Sequence, residues 1–450
     1  MSILFISGGT LIDPEAGRCY PADILTKDGA IFEIGEPGSL AAPEGAQTID
    51  ARGLFVSPGF VDPHGHIDGD VYTGELSLLQ GITTTMGGNC GFSPIDIEAF
   101  FAQQKAFPIH QAEMVGMCAL REAAGVFDLF APANEKQIDR MVELCERALE
   151  AGAAGVSLGP SYTPGSSISE MQALCRAAQR FGKPVSIDTR MNSMTDLDSL
   201  QEAIDLAAAT GCVMIVSHFT YQYGVGVEDE ALAMIERARN MGIRMHLDSG
   251  MYKDWCSSIG AALFEEGIMR ANGIELGHLR MITGDHIGQV PDKALYEHLR
   301  CQHPHDAVVV GTGSQRAVYA IARWEDTMVS TDTGAYKPGE GHPQIAGSFP
   351  RFFREMVRER AEMPWEEAIR HVTLLPAQVM GFEKKGRMGI GCDADLVIFD
   401  PENVADTADY PGLGMPNGAP EGISYVIVGG EIAAKDGKTT MLSAGRTLKI

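Results

Sequence analysis

From residue 59 to residue 332 the chain keeps repeating one alternation: a short apolar run of strand character, then a stretch of helical period, then another run. The runs are GFVDPHGH (59–66), GITTTMG (81–87), EMVGMCAL (113–120), AAGVSLG (153–159), KPVSIDTR (183–190), CVMIVSH (212–218), GIRMHLD (242–248), HDAVVVG (305–311) and DTMVSTD (326–332), with EKQIDRMVELCERALEAG and DSLQEAIDLAAATG among the helical stretches. Such alternation requires parallel strands joined by crossover helices, which close into a (β/α)8 barrel or stay open as a doubly wound sheet. No GxGxxG follows an early strand, and polar residues recur at the ends of many different runs, as at a barrel mouth. The expectation is an α/β TIM-like barrel. Nine runs exceed its eight places, so one is expected outside it.

The two chain ends have a different period. Residues 1–56 (ILFISGG, TLIDPEAG, ADILTKDGAIFEIG, TIDARGLFVSPG) and 386–450 (ADLVIFD, SYVIVGGEIAAKDG, TMLSAG) are strand-like and punctuated by glycine turns. A sheet of two or three short strands is only marginally stable, so the ends are expected to pair into one small β-sandwich domain. The expected division is 1–56 and 386–450 for that domain and 57–385 for the barrel.

Composition narrows the partners. Sixty Asp and Glu against 35 Lys and Arg give a formal net charge of -25, which argues against nucleic acid or an anionic membrane surface as partner. No apolar run reaches the ~18 residues that span a bilayer, and the first residues read as a strand rather than a signal segment. Nine cysteines without any CxxC spacing fit a reducing cytoplasm. A small-molecule substrate is expected, with homo-oligomerisation left open.

The densest chemical signal is Asp62-Pro63-His64-Gly65-His66. At a strand end, period two sends Asp62, His64 and His66 to one face. Cys90, His218, His246 and Asp332 close four further runs; His246 and Asp248 share a face, so either is the inward group of its strand. Imidazole, thiolate and carboxylate suit zinc. A closed parallel barrel is the scaffold that gathers such distant residues at one end. A divalent ion there would acidify a bound water and polarise a carbonyl, and Asp332 is the candidate general base and acid.

These residues carry a likeness. Phe60 to His66 (FVDPHGH), Gly81-Ile82-Thr83-Thr84, Gly88-Asn89-Cys90-Gly91-Phe92-Ser93-Pro94 and GRMGIGCDADLVIF at 386–399 resemble the amidohydrolase superfamily, and within it the D-aminoacylases, or N-acyl-D-amino-acid deacylases. The resemblance covers nearly the whole chain. It implies a metal-dependent hydrolase with a (β/α)8 barrel and a terminal β-sandwich. It makes His64 and His66 similar to the ligands of the more exposed metal position, Cys90 to a bridging thiolate, His218 and His246 to the ligands of a tightly held zinc, and Asp332 to the catalytic aspartate. One Zn2+ is implied as tightly bound, with a second, weaker position left open. It also places Tyr162, in SLGPSYTPG, beside the substrate.

Departures from the family pattern are concentrated on substrate recognition. Asp188-Thr189-Arg190 stands where His-x-Arg is common, His342-Pro343-Gln344 where His-Pro-Arg is usual, and Asp248-Ser249-Gly250-Met251-Tyr252 where Asp-x-Tyr-Pro-Tyr is familiar. A lost guanidinium removes a bidentate carboxylate clamp. Substrate contacts are therefore sought at Tyr162, Arg190, Lys253 and His342, with Arg280, Lys337 and Arg351 as further cations. The expected reaction is zinc-dependent hydrolysis of a C–N amide bond, foremost deacylation of an N-acyl-amino acid. A hydrolase of cyclic amides or ureides is the alternative within the enzymes, and an inactive binding protein on the same fold is the alternative outside them.

Overall fold

Strands Phe60–Asp62, Ile82–Gly87, Val156–Leu158, Pro184–Ile187, Val213–Val216, Met245–Ser249 and Thr327–Val329 run parallel to one another, and the pair His110–Glu113 and Val115–Gly116 forms one further strand interrupted at Met114. The computed structural model describes residues 2–103, 107–193, 195–441 and 443–450, and among them these make the eight staves of a barrel. The eighth stave returns to the first at the mouth, where Thr333–Gly334 pairs in parallel with Gly65–His66. Asp62 fastens this seam by accepting from the Thr331 hydroxyl at 2.6 Å and the Thr331 and His64 amides at 3.1 and 3.2 Å. Burial pushes its carboxyl up to about 7 against those hydrogen bonds.

The near-continuous apolar strands follow from burial on both faces. In Val213–Val216, Met214 and Val216 pack outward in one core with Leu200 and Ile204 of the helix Asp198–Thr210. Ile215 points inward against Val61, Met86, Ala112 and Met328. The crossover helices start at strong caps: Asn134 with Gln137 ahead of Glu135–Glu150, and Ser167 with Glu170 ahead of Ile168–Arg180, both reciprocal capping boxes.

The surplus run is 305–311. Its strand Ala307–Val310 lies between Trp255–Ser258 and Leu279–Met281 in a three-stranded antiparallel sheet outside the barrel. That sheet belongs to the long excursion between the seventh and eighth staves, and its core of Trp255, Phe264, Leu279, Val308 and Val310 includes Tyr221 from the barrel mouth. An apolar run does not itself state which sheet it joins, and here the partners are antiparallel.

Both chain ends build one nine-stranded hydrogen-bonded sheet, in which Phe55–Pro58 pairs antiparallel with Leu396–Phe399. Asp395 ties it to the barrel: its carboxylate accepts from Lys385 at 2.6 Å, from the Gly429 amide at 2.7 Å and from His110 at 3.1 Å. Burial would raise the Asp395 pKa, but Lys385 and His110 outweigh it and hold the group ionised. Among the described residues no helix is long and apolar enough to cross a membrane.

Candidate metal centre

The stave ends bring His64, Cys90, His218 and Asp332 together, with one ligand atom from each lying within 4.8 Å of all the others. Three of the four carry left-handed backbone, with φ of 53° at Cys90, 33° at His218 and 50° at Asp332. Non-glycine residues reach that region at a cost, and such strain persists where surrounding structure holds it, commonly at functional sites. Here each kink ends a strand and turns its side chain into the mouth. Gly65 is required between the two histidines, because a Cβ there would stand 2.9 Å from the Thr85 hydroxyl.

The donor atoms are spaced like ligands. His64 Nε2 is 3.3 Å from Cys90 Sγ and 3.4 Å from Asp332 Oδ1, which is also 3.4 Å from His66 Nε2. Cys90 Sγ is 3.4 Å from His218 Nε2. Zinc bonds of about 2.0 to 2.3 Å set tetrahedral ligands roughly 3.3 to 3.7 Å apart, so these separations match edges of a coordination polyhedron. Charge points the same way. Asp188, Asp248, Asp332 and the Cys90 thiol crowd one buried volume with three imidazoles and, among the described residues, no Lys or Arg against them. Buried carboxylates need a counter-charge, and a divalent cation supplies it. The residues fit a metal cofactor.

The imidazoles respond to that crowd. Burial would lower the His218 pKa, but Asp188, Asp332 and Asp248 outweigh it and raise it to about 9. His66 is likewise raised, its burial outweighed by Asp332 and Asp68. Asp332 is lowered in spite of burial because His66, His218 and His64 face it. Its backbone is fixed as well: the Asp332 amide donates to the His64 carbonyl at 2.8 Å, and its carbonyl accepts from Gln344 Nε2.

His246 is not in this cluster. Burial and then Arg239 and Arg244 lower its pKa to about 4, with Asp326 opposing, and these groups stand at or before the starts of the seventh and eighth staves. The side chain points inward from the closed end of the barrel, two residues and about 6.6 Å of strand below the mouth. Asp248 occupies the mouth instead. Its Oδ2 faces His64 Nδ1, while Oδ1 accepts from the His218 amide at 3.0 Å and the Ser330 hydroxyl at 2.8 Å.

A cavity of about 620 Å³ opens above the cluster, lined by His66, Cys90, Asp188, His218 and Asp332 at its floor. Phe92, Tyr162, Trp255 and Tyr336 form aromatic walls, and Ser257, Ser258 and Thr283 add hydroxyls from the antiparallel excursion. Tyr162 lines this cavity, with its hydroxyl 3.1 Å from Ser257 Oγ and its ring edge-on to Phe92.

The other three expected substrate contacts are engaged elsewhere. Arg190 pairs with Glu202 at 2.9 Å and donates to the Pro164 and Ser166 carbonyls at 2.7 and 2.5 Å, which uses the whole guanidinium to fasten a loop. Lys253 is half-exposed and pairs with Asp254 at 2.6 Å. His342 is fully buried between Tyr252 and Tyr410. Its Nε2 donates to the Asp254 carbonyl at 2.9 Å and Nδ1 accepts the Gln344 amide at 3.2 Å. Burial lowers its pKa to about 3, keeping it neutral. It sets the position of Gln344, which in turn holds the Asp332 carbonyl and accepts from Tyr221 at 2.8 Å. Arg351 is occupied too, by Glu355 at 3.0 Å and by the Tyr252 ring at 4.5 Å. Among the described residues no Lys or Arg lines the cavity.

Sequence reasoning passed over Asp188 as a group facing the cluster. Its signal was present: it closes the run KPVSI as His218 closes CVMIVS.

Comparison with known proteins agrees with this architecture. The amidohydrolase family model matches residues 47–255 and 261–434. The chain is 30% identical to the N-acyl-D-glutamate deacylase of Alcaligenes xylosoxydans xylosoxydans, covering 95% of this chain and 92% of that protein. It is 28% identical to the D-aminoacylase of the same organism, over 99% and 97%. A crystal structure of N-acyl-D-glutamate deacylase from Bordetella bronchiseptica, complexed with zinc and a phosphonate mimic of the tetrahedral intermediate, superposes with a TM-score of 0.88 at 28% identity, covering 100% of both chains.

Proposed function

The chain belongs to the amidohydrolase family, and from that premise we propose that it hydrolyses the C–N bond of an N-acyl-amino-acid-like substrate, with the ligand atoms of His64, His66, Cys90, His218 and Asp332 holding the metal. The single observation that carries this reading is the convergence of four donor atoms within 4.8 Å of one another, three of them, from Cys90, His218 and Asp332, on residues that line the cavity described above. Similar relatives include an N-acyl-D-glutamate deacylase and a D-aminoacylase, which supports an acylated amine as substrate.

The metal is read as zinc, one ion tightly held on the Cys90 and His218 side and a second, weaker position on the His64 and His66 side. When bound, it supplies an acidified water and a polarised carbonyl. The protein's own groups do the rest. Asp332 presents Oδ1 between His64 and His66 as the ligand atom, and the other oxygen of its carboxylate accepts a proton from water and returns it to the departing nitrogen. Asp248 orients His64 through Nδ1, leaving Nε2 for the centre. Burial, then the carboxylate of Asp188 or the thiol of Cys256, raises the phenols of Tyr162 and Tyr336, so both stay protonated as neutral donors beside the substrate. The aromatic walls exclude water from the acyl portion. A reducing cytoplasm suits the nine unpaired cysteines, and a small molecule is the partner.

One observation favours a second reading. A carboxylate entering this cavity meets Asp68, Asp188 and Asp332 and, among the described residues, no guanidinium or ammonium. A neutral cyclic amide or ureide avoids that mismatch. The test is a substrate panel on zinc-loaded protein: N-acyl-D- and N-acyl-L-amino acids, their α-carboxamides, and cyclic ureides. Release of free amine and carboxylate from acylated amino acids supports the first reading. Turnover confined to rings supports the second, and no hydrolysis of any member by the loaded protein would overturn both.

A further inference from the structure

Asp188 lies on the fifth stave at the same level as the ligands of its neighbours, and it is 3% exposed. Its Oδ2 is 3.6 Å from His218 Nε2, beyond hydrogen-bond reach yet within the roughly 3.3 to 3.7 Å that separates two ligands of one zinc. The other oxygen is already used, since Oδ1 accepts from Gln222 Nε2. The residues after it are locked: the Thr189 hydroxyl bonds Gln222 and lies 2.7 Å from the Tyr223 hydroxyl, and Arg190 is held by Glu202 and two carbonyls. Those anchors leave Asp188 Oδ2 turned toward the centre, where its neighbours are Cys90 and His218. With His64 and His66 grouped around Asp332 on the other side, Cys90 and His218 are one short of the three protein ligands that a catalytic zinc keeps, because His246 is out of reach.

We propose that Asp188 is a metal ligand, completing with Cys90 and His218 the side of the centre that His246 does not reach. This rests on the metal-centre reading above and deepens it. The carboxylate replaces a neutral donor with a charged one, so the tightly held ion sits among Cys90 thiolate, His218 imidazole and Asp188 carboxylate. A harder ligand of this kind raises tolerance for ions that prefer oxygen.

The experiment measures metal binding directly on the full chain. Zinc stoichiometry after dialysis against a chelator, and zinc affinity by chelator competition, are compared for wild type, Asp188→Asn, Asp188→Cys and Cys90→Ala, each first checked for a native circular dichroism spectrum. Asp188→Asn is expected to weaken zinc by at least about ten- to a hundred-fold, the scale seen even for residues one shell further out. Cobalt(II) provides the spectroscopic arm: wild type shows a thiolate-to-cobalt absorption from Cys90, and Asp188→Cys, which puts a second thiolate on the ion, is expected to increase it markedly. Unchanged zinc affinity in Asp188→Asn, or an unchanged cobalt absorption in Asp188→Cys, overturns the assignment. Failure of the underlying centre looks different: wild type itself then lacks the thiolate absorption, and Cys90→Ala holds zinc as wild type does.

Discussion

Asp248 Oδ2 lies 3.2 Å from Nδ1 of His64, and both side chains are buried. The carboxylate fixes one nitrogen of the ring as a donor and so leaves Nε2 free to act as a ligand. The same carboxylate takes the His218 amide and the Ser330 hydroxyl, so one side chain sets both the tautomer of His64 and the strained turn that carries His218.

Asp248→Asn is therefore expected to weaken metal binding by about ten- to a hundred-fold while leaving the fold intact, because the amide keeps the shape but removes the charge and one acceptor. Chelator competition on the purified variant checks this. Affinity equal to wild type would mean that Asp248 does not orient His64.

Asp332→Asn should lower turnover by about a hundred- to ten-thousand-fold, the range general acid and base groups contribute. An amide cannot take and return the proton. Steady-state kinetics on zinc-loaded protein, with metal content measured on the same sample, separates this from loss of the ion. Full turnover with full metal content would remove Asp332 from the chemistry.

Stability should fall as the pH drops from about 6.5 toward 4. Burial lowers His371 to about 4, with Arg370 adding to it and Asp326 opposing, and burial, then Arg239 and Arg244, lower His246 to about 4. A base whose folded pKa is depressed binds its proton first in the unfolded chain. The folded state thus loses ground below the unfolded value, by about 1.4 kcal/mol per pH unit for each group. Neither nitrogen of His371 has a partner, so His371→Leu should flatten this slope at little cost at pH 7. His246→Gln should flatten it too and leave zinc content unchanged. Denaturant melts at pH 7 and pH 5 measure both, and loss of zinc in His246→Gln would return that residue to the centre.

Asp395→Ala should destabilise the protein by about 1 to 3 kcal/mol, because it leaves the buried Lys385 ammonium with only Asp393 at 3.1 Å and unties His110 and the Gly429 amide in one step. Replacing Lys385 by Met together with Asp395 should recover much of that loss, since no charge is then left buried alone. Guanidinium denaturation of the two variants tests the difference between them.

The eight-stave barrel and the pairing of both ends into one sheet were legible because they rest on periodicity, which is a local property of the chain. Strands buried on both faces must be continuously apolar, and helices against them must repeat near 3.6. The gathering of His64, Cys90, His218 and Asp332 was legible for a related reason: each lies at the end of an apolar run, and a parallel barrel puts all such ends at one mouth. Depth along a strand was not legible. His246 and Asp248 share a face, and only the stagger between neighbouring staves lifts Asp248 to His64 and leaves His246 below, beside Arg239 and Asp326. Nor could composition reveal how the candidate substrate contacts are engaged: Arg190 is held by the Pro164 and Ser166 carbonyls and His342 by the Asp254 carbonyl, all distant in sequence, whereas Lys253 pairs with its neighbour Asp254 and Arg351 with Glu355 one helical turn on. A long side chain reaches many places from one backbone position, and which one it takes is settled by the neighbours that packing supplies. The order of residues thus determined which chemistry gathers at the mouth, while the three-dimensional register decided which donor groups meet there and, among the described residues, left the cavity walls without a Lys or Arg.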